Sequence, residues 1–282
     1  MARKKTRTAR TFFIVVGVCA AGLVLWLTGC DKITSKLRSL TKTNPNKKER
    51  PVPPARAPQR SATGPRLAII LDDLGNDREA AEVIFAFREP LTISVLPFHK
   101  HSTEISEEAK RRGYEVMLHL PMQAVGNELP EAQQLHSGMG GGEVAQMLKS
   151  MLESVPTAVG VNNHEGSLAT TDAKLMSELM PLLKQRGLFF IDSRTTAETV
   201  AFGTAERDGV RCGFRNVPFL DDVQQVAAIE KQLELSIRGA KEKGEAIAIG
   251  HPHPETLQAL KEMLPRAQAQ GVQLAFVSEI VH

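Results

Sequence analysis

Cysteine is scarce in this sequence. Cys19, Cys30 and Cys212 are the three cysteines of the chain. Cys19 lies inside an apolar N-terminal run and Cys30 lies just after that run, so Cys212 is the one cysteine beyond residue 30. A single cysteine forms neither an intramolecular disulfide nor a cysteine-based zinc site, and both are excluded for the rest of the chain.

Positive charge is also scarce once the first sixty residues are set aside. Those residues carry 14 Lys and Arg against two acids, Asp31 and Glu49, whereas residues 61–282 carry 21 Lys and Arg against 30 Asp and Glu. The formal net charge of +3 is therefore an average over two unlike parts. A protein that binds a phosphate backbone is expected to keep its basic residues on the folded domain, so the composition argues against a nucleic-acid partner.

The basic N-terminus leads into an apolar run over residues 12–27, and residues 27–30 read Leu-Thr-Gly-Cys. A charged start before an apolar run is typical of a secretory signal. The last four residues resemble the lipobox of bacterial lipoproteins, which implies lipidation of Cys30 and, through Asp31, retention at the inner membrane. The alternative is an uncleaved anchor, since roughly 17–25 apolar residues span a bilayer. Both interpretations predict a membrane-tethered protein on the periplasmic side of the bacterial inner membrane.

The segment over residues 31–65 is rich in Lys, Pro, Thr and Ser and poor in apolar residues. Such a composition cannot bury a core, so we expect a linker that its prolines keep partly extended. The sequence thus predicts three parts: a signal or anchor over 1–30, a linker over 31–65, and one domain over 66–282 that is long enough for a sizeable core.

Short apolar runs alternate with amphipathic helical stretches throughout the predicted domain. The apolar runs cover residues 67–71, 91–96, 114–120, 158–161, 188–191, 246–250 and 272–277. The helical stretches cover residues 77–88, 102–112, 143–153, 172–186, 223–243 and 254–270. Continuous apolar strands linked by helices are typical of a parallel sheet that is covered on both faces. We therefore predict an α/β fold, a single (β/α) barrel of about seven parallel strands, with an open parallel sheet as the alternative and the repeat least legible over 200–220.

Polar side chains follow nearly every predicted strand. They are Asp72 and Asp73, His99, His119, Asn162 to His164, Asp192 to Arg194, Asp221 and Asp222, and His251 and His253. The carboxyl ends of parallel strands meet on one face, so we expect a site there. His and Asp without Cys suit Zn²⁺ or another divalent first-row ion, on which a water has its pKa lowered to about 7. Adjacent strand residues point in different directions, so Asp72 and Asp73 can divide the roles of base and ligand.

Five motifs in order carry a resemblance to a known family. They are IILDDLG at 69–75, LHLPMQ at 118–123, NNHEGS at 162–167, FIDSRTT at 190–196 and IGHPHPETL at 249–257. Together they resemble the divergent polysaccharide deacetylases, a branch of the superfamily of metal-dependent glycan deacetylases and carbohydrate esterases. The resemblance implies a distorted (β/α) barrel with an Asp-His-His metal site, usually zinc, that removes N- or O-acetyl groups from sugars.

The resemblance also implies roles for individual residues. Asp72 corresponds to the catalytic base, Asp73 and His119 to metal ligands, and His251 to the general acid that protonates the leaving group. The superfamily places a second histidine four residues after the first, where this sequence has Gln123. The third ligand must then come from elsewhere, and His164 is our candidate.

A second departure concerns the arginine that steadies the base in the superfamily. Its motif corresponds here to Asn162–His164, which contains no arginine, and Arg194 is our candidate for a replacement. Asp192 is a further catalytic candidate, and Asn163 and His253 are candidates for supporting roles.

Each of these residues has a simpler structural interpretation. Asp72 and Asp73 could cap a helix, and so could Asp221 and Asp222, for which we favour capping over a direct role. His119 could be a hydrogen-bonded core histidine, Asn163 and His164 could order a loop, and Asp192 could pair with Arg194. His251 and His253 could belong to a turn that Pro252 and Pro254 make rigid.

Three functions follow from these patterns. The first is a metal-dependent hydrolase that removes acetyl groups from a cell-envelope glycan such as peptidoglycan. The second is a catalytically impaired relative that binds glycan or has a regulatory role, and the third is a metal phosphoesterase or amidase on the same fold.

The scarcity of Trp and Tyr limits how a glycan could be bound, because Trp26 and Tyr114 are the single Trp and Tyr of the chain. A stacking surface for sugar would therefore need phenylalanine: Phe98, Phe202, Phe214 or Phe219.

Overall fold

The computed structural model describes residues 64–126 and 133–282. The expected signal or anchor over 1–30, the lipidation of Cys30 and nearly all of the linker over 31–65 fall outside the described residues. Within those two described ranges, no helix has the length and apolar character needed to cross a bilayer.

Eight strands and seven α-helices alternate along the described part of the chain. The strands are β1 Arg66–Leu74, β2 Thr92–Val95, β3 Glu115–Met122, β4 Gly160–Glu165, β5 Phe189–Asp192, β6 Cys212–Phe214, β7 Glu245–Gly250 and β8 Gln273–Ala275. The helices are α1 Arg78–Ile84, α2 Ser102–Arg111, α3 Gly141–Ser154, α4 Ala173–Gln185, α5 Ala201–Arg207, α6 Val226–Lys243 and α7 Pro254–Ala269. Two short 3₁₀ turns, Ala169–Thr171 and Val277–Glu279, complete the list.

The strands form a nearly closed barrel of seven parallel strands in the order β6-β5-β4-β3-β2-β1-β7, and β8 pairs with the start of β1. No strand ladder joins β6 to β7; the chain after β6 bridges them instead. The amide of Asn216 donates to the carbonyl of Ile247 at 2.9 Å, and the amide of Leu220 donates to the carbonyl of Ile249 at 2.9 Å. The predicted (β/α) barrel is therefore confirmed, and its distortion lies at this seam.

The barrel has an inner and an outer apolar layer because strand side chains alternate in direction. Ile69 and Leu71 pack outward against the helices, whereas Ala68 and Ile70 pack inside the barrel with Ile247 and Ile249. Space inside is limited: a Cβ added to Gly160 would lie 2.3 Å from the ring of Phe189. Glycine at this position lets a large ring fill the interior.

The same alternation carries polar side chains into the barrel mouth. Two residues beyond the inward Ile70 is Asp72, two beyond Met117 is His119, and two beyond Gly160 is Asn162. All three are buried, with relative exposures of 1%, 2% and 0%. The apolar interior therefore ends in a buried polar layer at the carboxyl ends of the strands.

All seven strands predicted from apolar runs are present, and the six predicted helices agree with the observed ones to within a few residues. The elements not predicted are α5 and β6, in the region over 200–220 where the repeat was least legible. β6 has only three residues, and the bridging segment that follows it has no regular pattern. Elements this short carry too few residues for a period to be detected.

Candidate active site

Strained backbone marks the strand ends around the barrel mouth. Among the described residues, four other than glycine have positive φ: Asp73 (59°), Phe98 (62°), Glu165 (51°) and Arg194 (50°). They end or follow β1, β2, β4 and β5, on one face of the barrel. Such conformations cost about 1–3 kcal/mol each and concentrate at functional sites. At Asp73 the strain has a visible result, because the register of β1 on β2 shifts between Leu71 and Leu74 and Asp73 turns toward the barrel mouth.

Three predicted ligands converge at that mouth. Oδ1 of Asp73 lies 3.1 Å from Nε2 of His119 and 3.1 Å from Nδ1 of His164. The two ring nitrogens are also 3.1 Å apart. His164 thus supplies the third ligand atom, in place of the histidine that the superfamily has at the position of Gln123. The Gln123 side chain instead accepts a hydrogen bond from the amide of Ser137 at 3.0 Å.

This arrangement fits a divalent metal ion. Ligand atoms about 2.0–2.1 Å from a tetrahedral Zn²⁺ lie about 3.3–3.4 Å from each other, close to the spacing of these three atoms. Oδ1 of Asp73 is buried, and no group in the described residues donates it a hydrogen bond of acceptable geometry. A buried carboxylate oxygen without a donor is costly unless a cation satisfies it. Asp73, His119 and His164 therefore form a candidate metal site.

The side-chain amide of Asn162 links this site to Asp72. Its Nδ2 donates to Oδ1 and Oδ2 of Asp72 at 2.9 and 3.1 Å. Its Oδ1 therefore faces the other way and accepts from Nδ1 of His119 at 3.0 Å and from the hydroxyl of Ser94 at 2.5 Å. Because Nδ1 of His119 carries the proton in this bond, its Nε2 presents a lone pair to the metal site, a common arrangement around metal-binding histidines.

Burial and charge shift the pKa values of the two aspartates in opposite directions. Burial raises the pKa of Asp72 above its usual value, against the opposing effect of His119. Burial also acts to raise the pKa of Asp73, but its close contacts with His119 and His164 outweigh it and hold that pKa far below the usual value. Asp73 thus stays ionised as a ligand should, while the pKa of Asp72 moves toward neutral pH, as a general base requires.

His251 faces this cluster from the opposite side of the mouth. Its Nε2 lies 3.8 Å from Oδ2 of Asp73, and its Nδ1 bonds to Oδ1 of Asp221 at 2.9 Å. Asp221 is held in turn by the amide of His251 at 2.6 Å and the hydroxyl of Thr256 at 2.8 Å. Burial acts to lower the pKa of His251, but the hydrogen bond and charge of Asp221 raise it to about 9. A histidine of this kind carries a proton at neutral pH and can deliver it from Nε2.

Asp221, His251 and His253 also lie close enough together to be considered as a metal-binding group. The contacts favour an orienting pair instead. Both oxygens of Asp221 already accept hydrogen bonds, from three donors, and Nδ1 of His251 is used by Asp221. His253 is turned toward Gln224, with 3.1 Å between their side-chain nitrogens.

Two predicted residues lie outside the cluster. Asp192 continues the outward column of β5, and its carboxylate accepts from the amide of Arg194, the hydroxyl of Thr199 and the amide of Phe202. The guanidinium of Arg194 stacks on Phe214 at 3.4 Å rather than contacting Asp72. The expectation that Arg194 steadies the base is therefore corrected: Asn162 makes that contact among the described residues.

Asn163 has a supporting position next to the cluster. Its Oδ1 accepts from the amide of Ser193 at 2.8 Å and its Nδ2 donates to the carbonyl of Glu165 at 2.7 Å. These bonds join the ends of β4 and β5. They fix the direction in which the chain leaves both strands beside His164.

Helix capping does not account for the aspartates of the site. Asp77 caps α1 by accepting from the amides of Glu79 and Ala80 at 2.9 Å, so Asp72 and Asp73 are not needed there. The residue at the N-cap of α6 is Gln225, which leaves Asp221 for His251. Sequence reasoning therefore underrated Asp221. It also gave Asn162 no role, although the two-residue period of β4 places it on the inner face with His119 and Asp72.

The structure is thus a (β/α) barrel with a candidate Asp-His-His metal site at its mouth, and comparison with known proteins identifies its family. Residues 69–281 match the model of the divergent polysaccharide deacetylase family. The chain belongs to this family. It is 37% identical over 209 residues to an uncharacterized protein of Haemophilus influenzae, covering 74% of each chain. It is also 37% identical over 199 residues to the uncharacterized protein YibQ of Escherichia coli, covering 71% of this chain and 62% of that one.

Solved structures share the fold. A crystal structure of an uncharacterized protein from Agrobacterium tumefaciens superposes with a TM-score of 0.75 at 24% identity, covering 79% of this chain and 92% of that one. A family 4 carbohydrate esterase from Streptomyces lividans, in complex with acetate, superposes with a TM-score of 0.50 at 13% identity, covering 77% of this chain and 90% of that one. A family 4 pseudoenzyme from Bacillus anthracis superposes with a TM-score of 0.51 at 12% identity, covering 77% of this chain and 66% of that one. Family membership supports a polysaccharide deacetylase-like function, and at these identities the three structures support the fold.

Proposed function

We propose that this protein is a metal-dependent hydrolase that removes acetyl groups from a cell-envelope polysaccharide. One observation carries the proposal. Three ligand atoms of Asp73, His119 and His164 lie 3.1 Å from one another, with a buried carboxylate and a histidine of raised pKa on either side of them. Metal-dependent hydrolysis requires the same three parts: a ligand set, a base and an acid.

Asp73, His119 and His164 would hold the ion, and zinc is the ion that two histidines and one carboxylate suit best. When bound, a divalent ion polarises an acyl oxygen and lowers the pKa of a coordinated water. The charges of the site favour a cation: burial acts to lower the pKa of His119, but the charges of Asp72 and Asp73 raise it above its usual value. The same negative field would stabilise a divalent cation held by these three residues.

Asp72 is the base in this proposal. Its Oδ2 lies 3.6 Å from Nε2 of His119, so it stands beside the ligand set without being part of it. Burial raises its pKa, and the amide of Asn162 holds both of its oxygens in place. Asp72 accepts one proton from the attacking water as the new bond to the acetyl carbon forms.

His251 is the acid. Asp221 holds Nδ1, so the proton on Nε2 points toward Asp73 and the ligand set. As the bond between the acetyl carbon and the sugar nitrogen or oxygen breaks, His251 donates this proton to the leaving atom. The products are acetic acid, which loses its proton to solvent to give acetate, and a free amine or hydroxyl on the sugar. The proton held by Asp72 passes through solvent to the neutral His251 and restores its charge.

An acetylated glycan such as peptidoglycan is the proposed substrate, and the envelope is the proposed location. Phe98 supports a sugar ligand, because it follows β2 at the barrel mouth and its side chain is 45% exposed. The ring of Phe219 lies 5.5 Å from that of His251. Arg215 lies over one face of Phe219, so the exposed Phe98 is the candidate for stacking on sugar, which lessens the difficulty raised by the scarcity of Trp and Tyr.

The impaired-relative alternative depended on the missing histidine at Gln123 and the missing arginine near Asn162. His164 fills the first gap in space, and the amide of Asn162 fills the second. A complete set of ligands, base and acid therefore favours activity over binding alone.

Metal content and acetate release test the proposal together. The purified protein, loaded with zinc and dialysed, is assayed by mass spectrometry for bound metal and by an enzymatic acetate assay with chitooligosaccharides and peptidoglycan fragments. We expect about one metal ion per chain and release of acetate that a chelator stops and added zinc restores. A protein that takes up no zinc, cobalt or nickel would disprove the hydrolase proposal.

A further inference from the structure

Two arginines line one wall of the barrel mouth without a carboxylate partner. Arg194 follows β5 and Arg215 follows β6. Neither forms an ion pair within residues 64–126 and 133–282; Arg215 is half-buried and Arg194 is exposed. Charged side chains that are removed from water are usually paired, so the half-buried Arg215, with a second arginine beside it and no carboxylate partner, requires an explanation.

Arg194 is held in a fixed orientation. Its backbone has φ of 50°, a left-handed conformation that is unfavourable for arginine. Its guanidinium lies 3.4 Å above the ring of Phe214, which packs edge-on against Phe202 at 4.9 Å. Among the described residues its side-chain nitrogens donate no hydrogen bond. The stack therefore fixes the plane of the guanidinium and leaves its donor edges for a ligand.

Arg215 is fixed by a different set of contacts. Its Nε, Nη1 and Nη2 donate to the carbonyls of Ser193 (2.8 Å), Val217 (2.5 Å) and Arg194 (2.9 Å). Its guanidinium also lies 4.0 Å above the ring of Phe219. Carbonyl partners orient the guanidinium but do not neutralise its charge. Burial lowers the pKa of Arg215, and the charge of the exposed Asp222 opposes this effect.

The two arginines connect the base side of the site to the acid side. Ser193, which accepts from Arg215, has its hydroxyl 3.2 Å from Nδ2 of Asn162, the residue that holds Asp72. Phe219, which lies under Arg215, packs beside His251 at 5.5 Å. Arg215 therefore adjoins both the base side and the acid side of the site, and Arg194, whose carbonyl accepts from Arg215, lies beside it.

We propose that Arg194 and Arg215 form a subsite for an oxyanion, a carboxylate or a phosphate, carried by the glycan next to the acetylated sugar. This proposal rests on the proposed function, which places the acetyl group at the candidate metal site. Guanidinium groups bind both carboxylates and phosphates through paired, charge-assisted hydrogen bonds. The proposal defines the substrate class more narrowly: an acidic acetylated glycan rather than a neutral one such as chitin.

Binding of matched neutral and acidic sugars tests this subsite. The full chain in detergent, carrying Asp72→Asn to prevent turnover, is titrated calorimetrically with four ligands. Chitobiose is compared with the disaccharide of N-acetylglucosamine and N-acetylmuramic acid, which adds a carboxylate. N-acetylglucosamine is compared with its 6-phosphate. We expect at least one acidic sugar to bind about tenfold or more tightly than its neutral partner, and the pair that shows this identifies carboxylate or phosphate.

Variants then locate the preference. In Arg194→Gln the ratio of acidic to neutral affinity should fall to near one, and in Arg194→Lys it should fall less. Arg215→Gln should lower the ratio as well. Because Arg215 also donates to three carbonyls, this variant could be less stable, so its melting temperature is measured alongside. Arg194→Gln is therefore the variant that decides the test. Arg238→Gln, an exposed arginine on α6, is the matched control and should leave the ratio unchanged.

The proposal is overturned if neither acidic sugar binds more tightly than its neutral partner, including the case in which none binds. It is also overturned if the preference persists in Arg194→Gln. The affinity ratio does not depend on turnover, whereas the proposed function is tested by metal content and by acetate release from both chitooligosaccharides and peptidoglycan fragments. Failure of one can therefore be told from failure of the other.

Discussion

The side-chain amide of Asn162 donates to both carboxylate oxygens of Asp72, at 2.9 and 3.1 Å. This pairing fixes the orientation of the amide, and its oxygen must then accept from Nδ1 of His119. One neutral residue thus orients the proposed base and sets the tautomer of a proposed ligand. In a buried, negatively charged site, an amide does this without adding charge.

Replacing Asn162 by Leu should therefore weaken metal binding by His119 and also impair Asp72 as the base. His119 loses the acceptor for its Nδ1 proton, so we expect zinc affinity to fall by about 10–100-fold, the usual effect of losing such a partner. Asp72 loses the donor to both oxygens, so acetate release should fall further than the loss of metal explains, even at saturating zinc. Competition with a chromogenic chelator measures the affinity, and steady-state assays at saturating zinc measure the rate.

The exposed amide Gln258 on α7 provides the control, and Gln258→Leu should change neither quantity. If Asn162→Leu bound zinc as tightly as the unmodified protein, the tautomer argument would be wrong. The base argument would be wrong if its rate at saturating zinc were normal.

The two neighbouring aspartates should differ in their effects on zinc binding when each is changed to Asn. Asp73→Asn removes the ligand oxygen that lies 3.1 Å from both histidines, so it should lose bound zinc and activity together. Asp72→Asn removes the base but none of the three ligand atoms, so it should retain zinc and lose about 10²-fold or more in acetate release. Metal analysis after dialysis separates the two variants, and equal zinc retention in both would contradict the division of roles.

Part of this site follows from sequence because strand side chains alternate. Counting by two from Ile70 and Met117 brings Asp72 and His119 to the inside of the barrel, and the resemblance to a known family supplies their roles. Asp73 is one residue out of this phase, and the left-handed turn that brings it into the site leaves no period in the sequence. Alternation could also have placed Asn162 inside, but its double contact depends on which way its amide is turned.

The partner of His251 shows a different limit of sequence reasoning. Asp221 is 30 residues away along the chain and follows an irregular segment that bridges β6 and β7. No propensity or spacing predicts how such a segment is placed, because tertiary hydrogen bonds to the β7 backbone determine its path. Asp192 is the converse case: it stands in a motif at a strand end, but its outward phase on β5 turns it toward Thr199.

Glu115 predicts how stability depends on pH away from the active site. It begins β3 at the opposite end of the barrel, where Thr92 donates to it at 2.9 Å and the amide of Ser278 lies 3.2 Å away. Burial raises its pKa above the usual 4.5. The folded state therefore binds the proton more tightly than the unfolded state, and the free energy of unfolding should decrease as pH rises through the window above 4.5.

Glu115→Gln keeps the shape of the side chain but removes this titration. Relative to the unmodified protein, the variant should gain stability steadily as pH rises from about 4.5 toward neutrality. Urea unfolding of both proteins at several pH values, with chelator present so that metal binding does not contribute, measures the difference. Glu107→Gln, an exposed change on α2, is the control, and a difference independent of pH in Glu115→Gln would contradict the prediction.

Asp221 and His251 predict the alkaline limit of activity. With its pKa raised to about 9, His251 is protonated at neutral pH and loses its proton as pH rises through that value, so kcat/KM should fall on the alkaline side near pH 9. In Asp221→Asn the orienting amide acceptor remains but its negative charge is gone. The alkaline limb should then move to lower pH, while bound zinc should be unchanged because Asp221 is not one of the three ligands. His251→Gln should lower kcat at every pH and abolish this limb. A limb that stays in place in Asp221→Asn would assign it to another group and remove His251 from the role of acid.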